Sequence, residues 1–225
     1  MAVTLSSRTE AKSEANIEET PTVLIIDDDP EVLDSVGRLL RSVGLDTQLF
    51  ASIPDFLKSK RPNGPTCLIL DVRLPGQSGL DFQRELAAAD NQLPIVFITG
   101  HGDIPMSVQA MKGGAIEFLP KPFREQDLLD AIRLGLNRDR VRREAEESLR
   151  ALKQRVEMLS DREREIMIEI VRGRLSKQIA GDIGVSESTV KVHRSNLMRK
   201  MGVRSLAELA RIADKLKLAQ EQKSS

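Results

Sequence analysis

Two short runs without a polar side chain, Cys67–Leu70 and Ile95–Ile98, constrain this chain more than any other feature. Each is bounded by turn-forming residues. A strand that is apolar on both faces must be covered on both faces, as central strands of a parallel sheet are. Thr22–Ile26 is a third such run, Asp46–Phe50 reads as an edge strand, and Phe118-Leu119 as a fifth short strand before Pro120. Val32, Val36, Leu39, Leu40 and Val43 are spaced for a helix over 31–43, and Leu128, Leu129, Ile132 and Leu136 mark the last helix of this region. Strand and helix alternate over residues 21–137, which predicts a doubly wound α/β domain on a five-stranded parallel sheet.

In such sheets functional groups gather beyond the carboxyl ends of the strands. Asp27 and Asp28 follow the first run, Asp71 the run at 68–70, Thr99 the run at 96–98 and Lys121 the pair Phe118-Leu119. Right-handed crossovers bring these ends to one edge. Three carboxylates and one ammonium then share a small space, and the mutual repulsion of the carboxylates calls for a cation. Carboxylates, a backbone carbonyl and waters make an octahedral oxygen site suited to Mg2+. Such a site would neutralise an incoming phosphoryl group while one carboxylate oxygen attacks. Lys121 would pair with the phosphate as a mobile point charge, and Thr99 offers it a hydroxyl. Taken singly, each Asp reads as a turn former or helix cap; the signal is their conjunction, in order, at strand ends. Asp27-Asp28-Asp29 also contains a D-x-D spacing, which leaves an aspartyl-phosphate phosphatase as a rival.

The segments IIDDD (25–29), LILDVRLPG (68–76), FITGHGD (97–103) and FLPKPF (118–123) resemble the receiver domains of response regulators, from about Thr22 to Leu136. That resemblance implies a flavodoxin-like sheet with Asp71 as the phosphoacceptor. It implies Mg2+ (or Mn2+) on Asp28, Asp71 and the backbone carbonyl of Arg73, with Asp27 acting through water. Thr99 and Phe118 would be coupled switch residues, Lys121 the phosphate-pairing lysine, and Lys121-Pro122 a cis peptide. His101 lies beside Thr99, but a loop histidine needs no special role.

Zero net charge hides an asymmetry. Residues 1–136 carry 13 Lys+Arg against 20 Asp+Glu, net −7, and residues 137–225 carry 21 against 14, net +7. Halves of opposite sign suggest domains with different partners, and a basic half favours nucleic acid. Residues 1–20 have no apolar core and read as a disordered tail. No apolar run is long enough to span a bilayer. The one cysteine, Cys67, lies on a buried strand, which excludes an intrachain disulfide and suits the cytoplasm.

Residues 138–156 read as a helical linker rich in charge. Ala145, Leu149, Leu152, Val156 and Leu159 run through it at 4-3-4-3 spacing, either a short coiled-coil seam or one face of a single charged helix. Residues 157–220 are all helical, with capping-box signatures at Ser160/Glu163 and Ser205/Glu208. A helix over 175–182, a turn at Ile183-Gly184-Val185 and a helix over about 186–201 have helix-turn-helix spacing. On a helical wheel Val190, Leu197 and Met201 face a core. Ser188, Lys191, Val192, Ser195 and Arg199 face away, a mixture of hydroxyls, cations and one apolar side chain that a major groove can use.

LSDRERE (159–165), SKQIA (176–180) and SESTVKVHRSNLMRKM (186–201) resemble the LuxR-type helix-turn-helix domain, and the two halves together resemble the NarL/FixJ class of response regulators, nearest to the FixJ type. By that resemblance Lys191, Val192 and Ser195 face bases, and Thr189, Arg194 and Lys200 contact phosphates. Some relatives have a cation where Ser195 stands, so the base preference stays open. His193 lies nearer the core face. The resemblance implies a transcription factor, not an enzyme, with a sensor histidine kinase, promoter DNA, RNA polymerase and, once phosphorylated, a second copy as partners.

Overall fold

The computed structural model describes residues 20–100 and 103–216. The expected tail to residue 19 and His101 lie outside the described residues. The chain divides into two compact units between Arg143 and Glu144.

In the front unit, the strands are β1 (Thr22–Ile26), β2 (Asp46–Phe50), β3 (Thr66–Asp71), β4 (Ile95–Thr99) and β5 (Glu117–Pro120). They form one five-stranded sheet in the order β2-β1-β3-β4-β5, every pairing parallel. The helices between them are α1 (Pro30–Ser42), α2 (Ile53–Lys58), α3 (Gly79–Ala88) and α4 (Ile104–Lys112), and α5 (Glu125–Glu157) follows β5.

Strand alternation builds two cores. Val23, Ile25, Cys67, Ile69, Val96 and Ile98 meet Val36 and Leu40 of α1 and Leu128, Ile132 and Leu136 of α5. Leu24, Ile26, Leu68, Leu70, Ile95 and Phe97 point the other way, against Ile53 and Phe56 of α2, Leu80, Phe82 and Leu86 of α3 and Ala110 of α4. The apolar runs are therefore continuous because both faces are covered. α5 lies close on β3: a Cβ at Gly135 would stand 2.5 Å from the Cys67 sulfur, so glycine lets the two backbones approach. Burial pushes the Cys67 thiol up to about 12, which leaves it a packing group.

The last helix of the front unit and the expected linker are one continuous helix of 33 residues. Its extension is tied to the front unit by Asp139, which is 1% exposed. The Asp139 carboxylate accepts from the Thr66 backbone N–H (2.9 Å), from Arg142 Nη2 (2.6 Å) and from Arg143 Nε (2.7 Å). Arg143 also donates to the carbonyl of Asn63. Burial works against the charge of Asp139, but these donors outweigh it and hold the carboxyl below its ordinary range.

In the rear unit, Val156 and Leu159 are buried in a third core with Ile166, Met167 and Ile170 of α6 (Asp161–Val171), Ile179 of α7 (Ser176–Ile183), Val190, Leu197 and Met201 of α8 (Glu187–Met201) and Leu209 of α9 (Leu206–Lys215). The proposed seam is thereby shortened. Its last two members serve this core, Leu149 and Leu152 are half-buried, and Ala145 is exposed. Ser160 and Glu163 close the expected capping box on α6. Ser205 caps α9 by accepting from the Glu208 N–H, but the Glu208 carboxylate turns to the Arg204 N–H, so this second box is only half formed. Gly184 ends α7 in the left-handed region at φ +69°, a conformation that favours glycine, and Ser186 caps α8 two residues later.

Replacing Asp139 with Asn should lower the stability of the front unit at pH 7 by about 1–3 kcal/mol, since it weakens charge-assisted bonds to partly exposed arginines. A carboxyl whose folded pKa is depressed contributes stability above its unfolded pKa and loses it as pH falls through the folded value. The difference between wild type and Asp139→Asn in urea unfolding should therefore shrink below about pH 4.

Candidate functional site

Register places the site. Ile26 pairs with Leu70, Asp71 with Ile98 and Thr99 with Pro120, so the residues after β1, at the ends of β3 and β4 and after β5 meet at one sheet edge. Carboxylate oxygens of Asp27, Asp28 and Asp71 lie within 4.8 Å of one another. Asp27 and Asp71 are buried and Asp28 is exposed, which gives the cluster one open side.

Lys121 Nζ donates to Asp27 Oδ2 at 2.6 Å and stands 3.6 Å from Asp71 Oδ1. The first is a hydrogen-bonded ion pair, while the second is Coulombic only. Asp71 Oδ1 is consequently buried with no hydrogen bond. Burial pushes the Asp71 carboxyl above its ordinary range; Lys121 pulls it down, and the Asp27 and Asp28 charges add to the rise. The Arg73 N–H also faces this carboxyl. Lys121 is held from its backbone as well, its N–H donating to the Thr99 carbonyl at 2.7 Å, and the Lys121-Pro122 bond is cis.

These oxygens suit a hard divalent cation, which would satisfy the orphan Asp71 oxygen and offset the crowded charge. Asp29 is not part of the cluster. Its Oδ1 accepts from the Glu31 N–H at 2.9 Å and caps α1, while its own N–H donates to Asp27 Oδ1 at 3.0 Å. The D-x-D spacing thus serves a helix start. Thr99 is 1% exposed at the end of β4. Phe118 is half-buried, its ring centroid 6.3 Å from that of Phe97.

The second candidate surface is α8. Ser188, Lys191, Val192, Ser195 and Arg199 are exposed, with Val192 at 61%, and Val190, Leu197 and Met201 are fully buried on the other side. Thr189, His193 and Arg194 are half-buried. The Ser186 hydroxyl stands 2.7 Å from that of Ser188 and 2.8 Å from that of Thr189, gathering three hydroxyls at the start of the helix.

Lys200 departs from the expectation of a phosphate contact. Its ammonium donates to the buried Glu163 at 2.6 Å and to the Met158 carbonyl at 3.2 Å, tying the end of α8 to the start of α6. A cation beside a buried carboxylate is held there by the cost of leaving that carboxylate alone. The spacing of Glu163 and Lys200, 37 residues apart, gave no sign of this pair. Nor did any sequence signal point to Asp139.

Comparison with known proteins agrees with this division. Residues 23–133 match the response regulator receiver domain, and residues 157–213 match the bacterial regulatory proteins of the luxR family. Nodulation protein W of Bradyrhizobium diazoefficiens is 50% identical over 86% of this chain and 86% of its own. The transcriptional regulatory protein FixJ of Azorhizobium caulinodans is 40% identical over 87% and 92%. A solved structure of the response regulator StyR is 50% identical, covers 87% of this chain and 99% of its own, and superposes with a TM-score of 0.79. The chain belongs to the two-component response regulators of the NarL/FixJ class, a receiver domain followed by a LuxR-type DNA-binding domain.

The Lys200–Glu163 pair makes a prediction. The hydrogen bond from Lys200, then that from the Ser160 N–H, holds the Glu163 carboxyl below its ordinary range. Its contribution is present above the unfolded carboxyl value and disappears as pH falls through the lowered folded value. Glu163→Gln and Lys200→Ala should each destabilise the rear unit at pH 7 by about 1.5–3 kcal/mol. Thermal unfolding of the full chain checks this, and the Glu163→Gln deficit should fade below about pH 4.

Proposed function

We propose that Asp71 accepts a phosphoryl group from the phosphohistidine of a sensor histidine kinase. A carboxylate oxygen of Asp71 attacks phosphorus, the P–O bond forms, the P–N bond breaks and the imidazole leaves with the electron pair. The observation that carries this reading is the clustering of Asp27, Asp28 and Asp71 within 4.8 Å, with the Lys121 ammonium in range of Asp27 and Asp71.

Asp28, Asp71 and the Arg73 carbonyl would hold Mg2+ (or Mn2+), with Asp27 acting through water. When bound, such an ion neutralises carboxylate and phosphoryl charge. Lys121, already poised between two carboxylates, would pair with phosphoryl oxygens. Thr99 would donate to the same oxygens, and Phe118 would fill the space that Thr99 leaves. The chain is a phosphoryl acceptor, with at most slow loss of the group, and not a turnover enzyme. Its site of action is the cytoplasm, where the DNA is; no helix among the described residues is long and apolar enough to cross a membrane.

The output is DNA binding by α8. Lys191, Val192 and Ser195 reach base edges, Thr189 and Arg194 reach phosphates, and Arg199 lies on the same exposed face. Lys200 serves the fold first. Phosphorylation pairs two receivers, two LuxR-type domains then meet a two-fold related promoter site, and RNA polymerase is the partner downstream.

Acetyl phosphate should add one phosphoryl group to the wild type, none after Mg2+ is chelated, and none to Asp71→Asn, as measured by intact mass. Full labelling of Asp71→Asn would sink the assignment.

With Val156 and Leu159 committed to the rear core, the remaining seam spans less than two heptads and is too short to hold two chains by itself. Sedimentation should find the unphosphorylated chain monomeric at micromolar concentration and the phosphorylated chain dimeric. A Leu149→Glu, Leu152→Glu variant should dimerise like the wild type. A tight dimer before phosphorylation would overturn this switching mechanism.

A further inference from the structure

The exposed face of α8 includes one anion that the family resemblance does not mark. Glu187 is the first residue of the helix, and its Oε1 stands 2.9 Å from Lys191 Nζ, one turn along the same face. Both side chains are open, at 46% and 67% exposure, so neither is held there by packing. A carboxylate suits a helix N-terminus, and Glu four residues before Lys is the favourable order. Those two facts explain why the pair forms. They do not explain why an anion stands at the end of the helix that approaches the bases in helix-turn-helix proteins. There it meets phosphates of its own sign, which weakens binding to every DNA sequence.

We propose that Glu187 is a specificity-determining residue that works with Lys191 on one G·C pair; this rests on the reading of α8 as the base-contacting helix. In the free protein Glu187 occupies the Lys191 ammonium. On the cognate site Lys191 leaves it for guanine O6 and N7, and Glu187 accepts from the cytosine N4 amino group. Both charges are then satisfied. On any other pair the cytosine amino group is missing from its place. Glu187 is then either desolvated without a donor or keeps Lys191 from the phosphates, and the complex is weakened selectively. Lys191 alone would also bind phosphates anywhere along the duplex as a point charge. The carboxylate beside it converts a general cation into a discriminating one.

The test uses the full-length chain, treated with acetyl phosphate, on two probes: calf-thymus DNA for unselective binding and a random duplex library for selection of preferred sites. Glu187→Gln should bind calf-thymus DNA about 3–10-fold more tightly at low salt, with a log–log salt dependence steeper by about one. In selection it should keep the wild-type motif except at one G·C pair per half-site, where its preference should flatten. Lys191→Ala should lose preference at that same pair but bind calf-thymus DNA more weakly. Unchanged unselective affinity together with an unchanged motif would reduce the ion pair to surface support for the helix and overturn the proposal. Weaker binding of Glu187→Gln to every sequence, with its thermal midpoint unchanged, would also overturn it. If the wild type enriches no motif at all, the DNA-binding reading falls and the proposal with it; if it enriches one that Glu187→Gln shares in full, only the proposal falls.

Discussion

Three carboxylates confined within 4.8 Å repel one another, and the front unit is organised around keeping them there. Lys121 offsets part of the repulsion through its 2.6 Å bond to Asp27. The rest is held by the sheet. β1 and β3 are paired in register and buried on both faces, so the residues at their ends cannot separate without breaking ladder bonds and opening two cores at once. Burial that raises the Asp71 carboxyl and leaves one of its oxygens without a donor would be a defect in a purely structural protein. Here it leaves the cluster suited to a cation and an incoming anion.

The same packing limits where a change of charge at Asp71 can be absorbed. β3 is paired with β1 on one side and β4 on the other, its first N–H is bound by Asp139, and Cys67 is pressed against Gly135. Its backbone has little room to move. The sheet is looser towards β5, which is an edge strand with a half-buried Phe118 next to the buried end of β4. Rearrangement on that side costs fewer packed contacts. This is the physical reason that the route outward from the site is proposed to run through Thr99 and Phe118 and not through a shift of β3.

The features legible in the sequence were those set by local periodicity or by strand ends. The apolar runs at 68–70 and 95–98 announced central strands because burial on both faces leaves no polar position. The wheel of α8 separated Val190, Leu197 and Met201 from the exposed face because a helix buried on one side only confines its apolar residues to that side. Long-range polar ties were not legible. Asp139 sits in a run of charged residues that looks like a solvated helix, and only the chain's return places Thr66 against it. Lys200 looks like any exposed cation until Glu163 is brought beneath it. The seam at 145–159 was ambiguous because a 4-3 apolar spacing serves a coiled coil and the edge of a small core equally well, and Val156 and Leu159 turned out to serve the core. α4 is hard to see because only Ala110 is buried along it while Ile104, Val108 and Met111 are exposed, so its apolar residues mark no inward stripe.

The charge asymmetry between the halves needs a similar refinement. A net +7 beyond residue 136 suggests a cationic surface, but charge on the sequence is not charge offered to a phosphate. Two lysines of α8 already have carboxylate partners, and the partners differ in kind. Lys200 is held by a buried Glu163, which would keep its Ser160 N–H but lose its only described ion-pair partner if the lysine departed. Lys191 is held by an exposed Glu187, which water can solvate once the lysine departs. The first pair is fixed and belongs to the fold, while the second is exchangeable. Removing both carboxylates on paper would leave a helix of greater unselective affinity, because each free cation releases counterions from any duplex it meets. Discrimination requires the opposite arrangement, in which a cation gains most where a particular base edge replaces the partner it gives up. On the proposed reading of α8, an exchangeable pair on its exposed face and a locked pair at its end therefore divide its two lysines between recognition and stability.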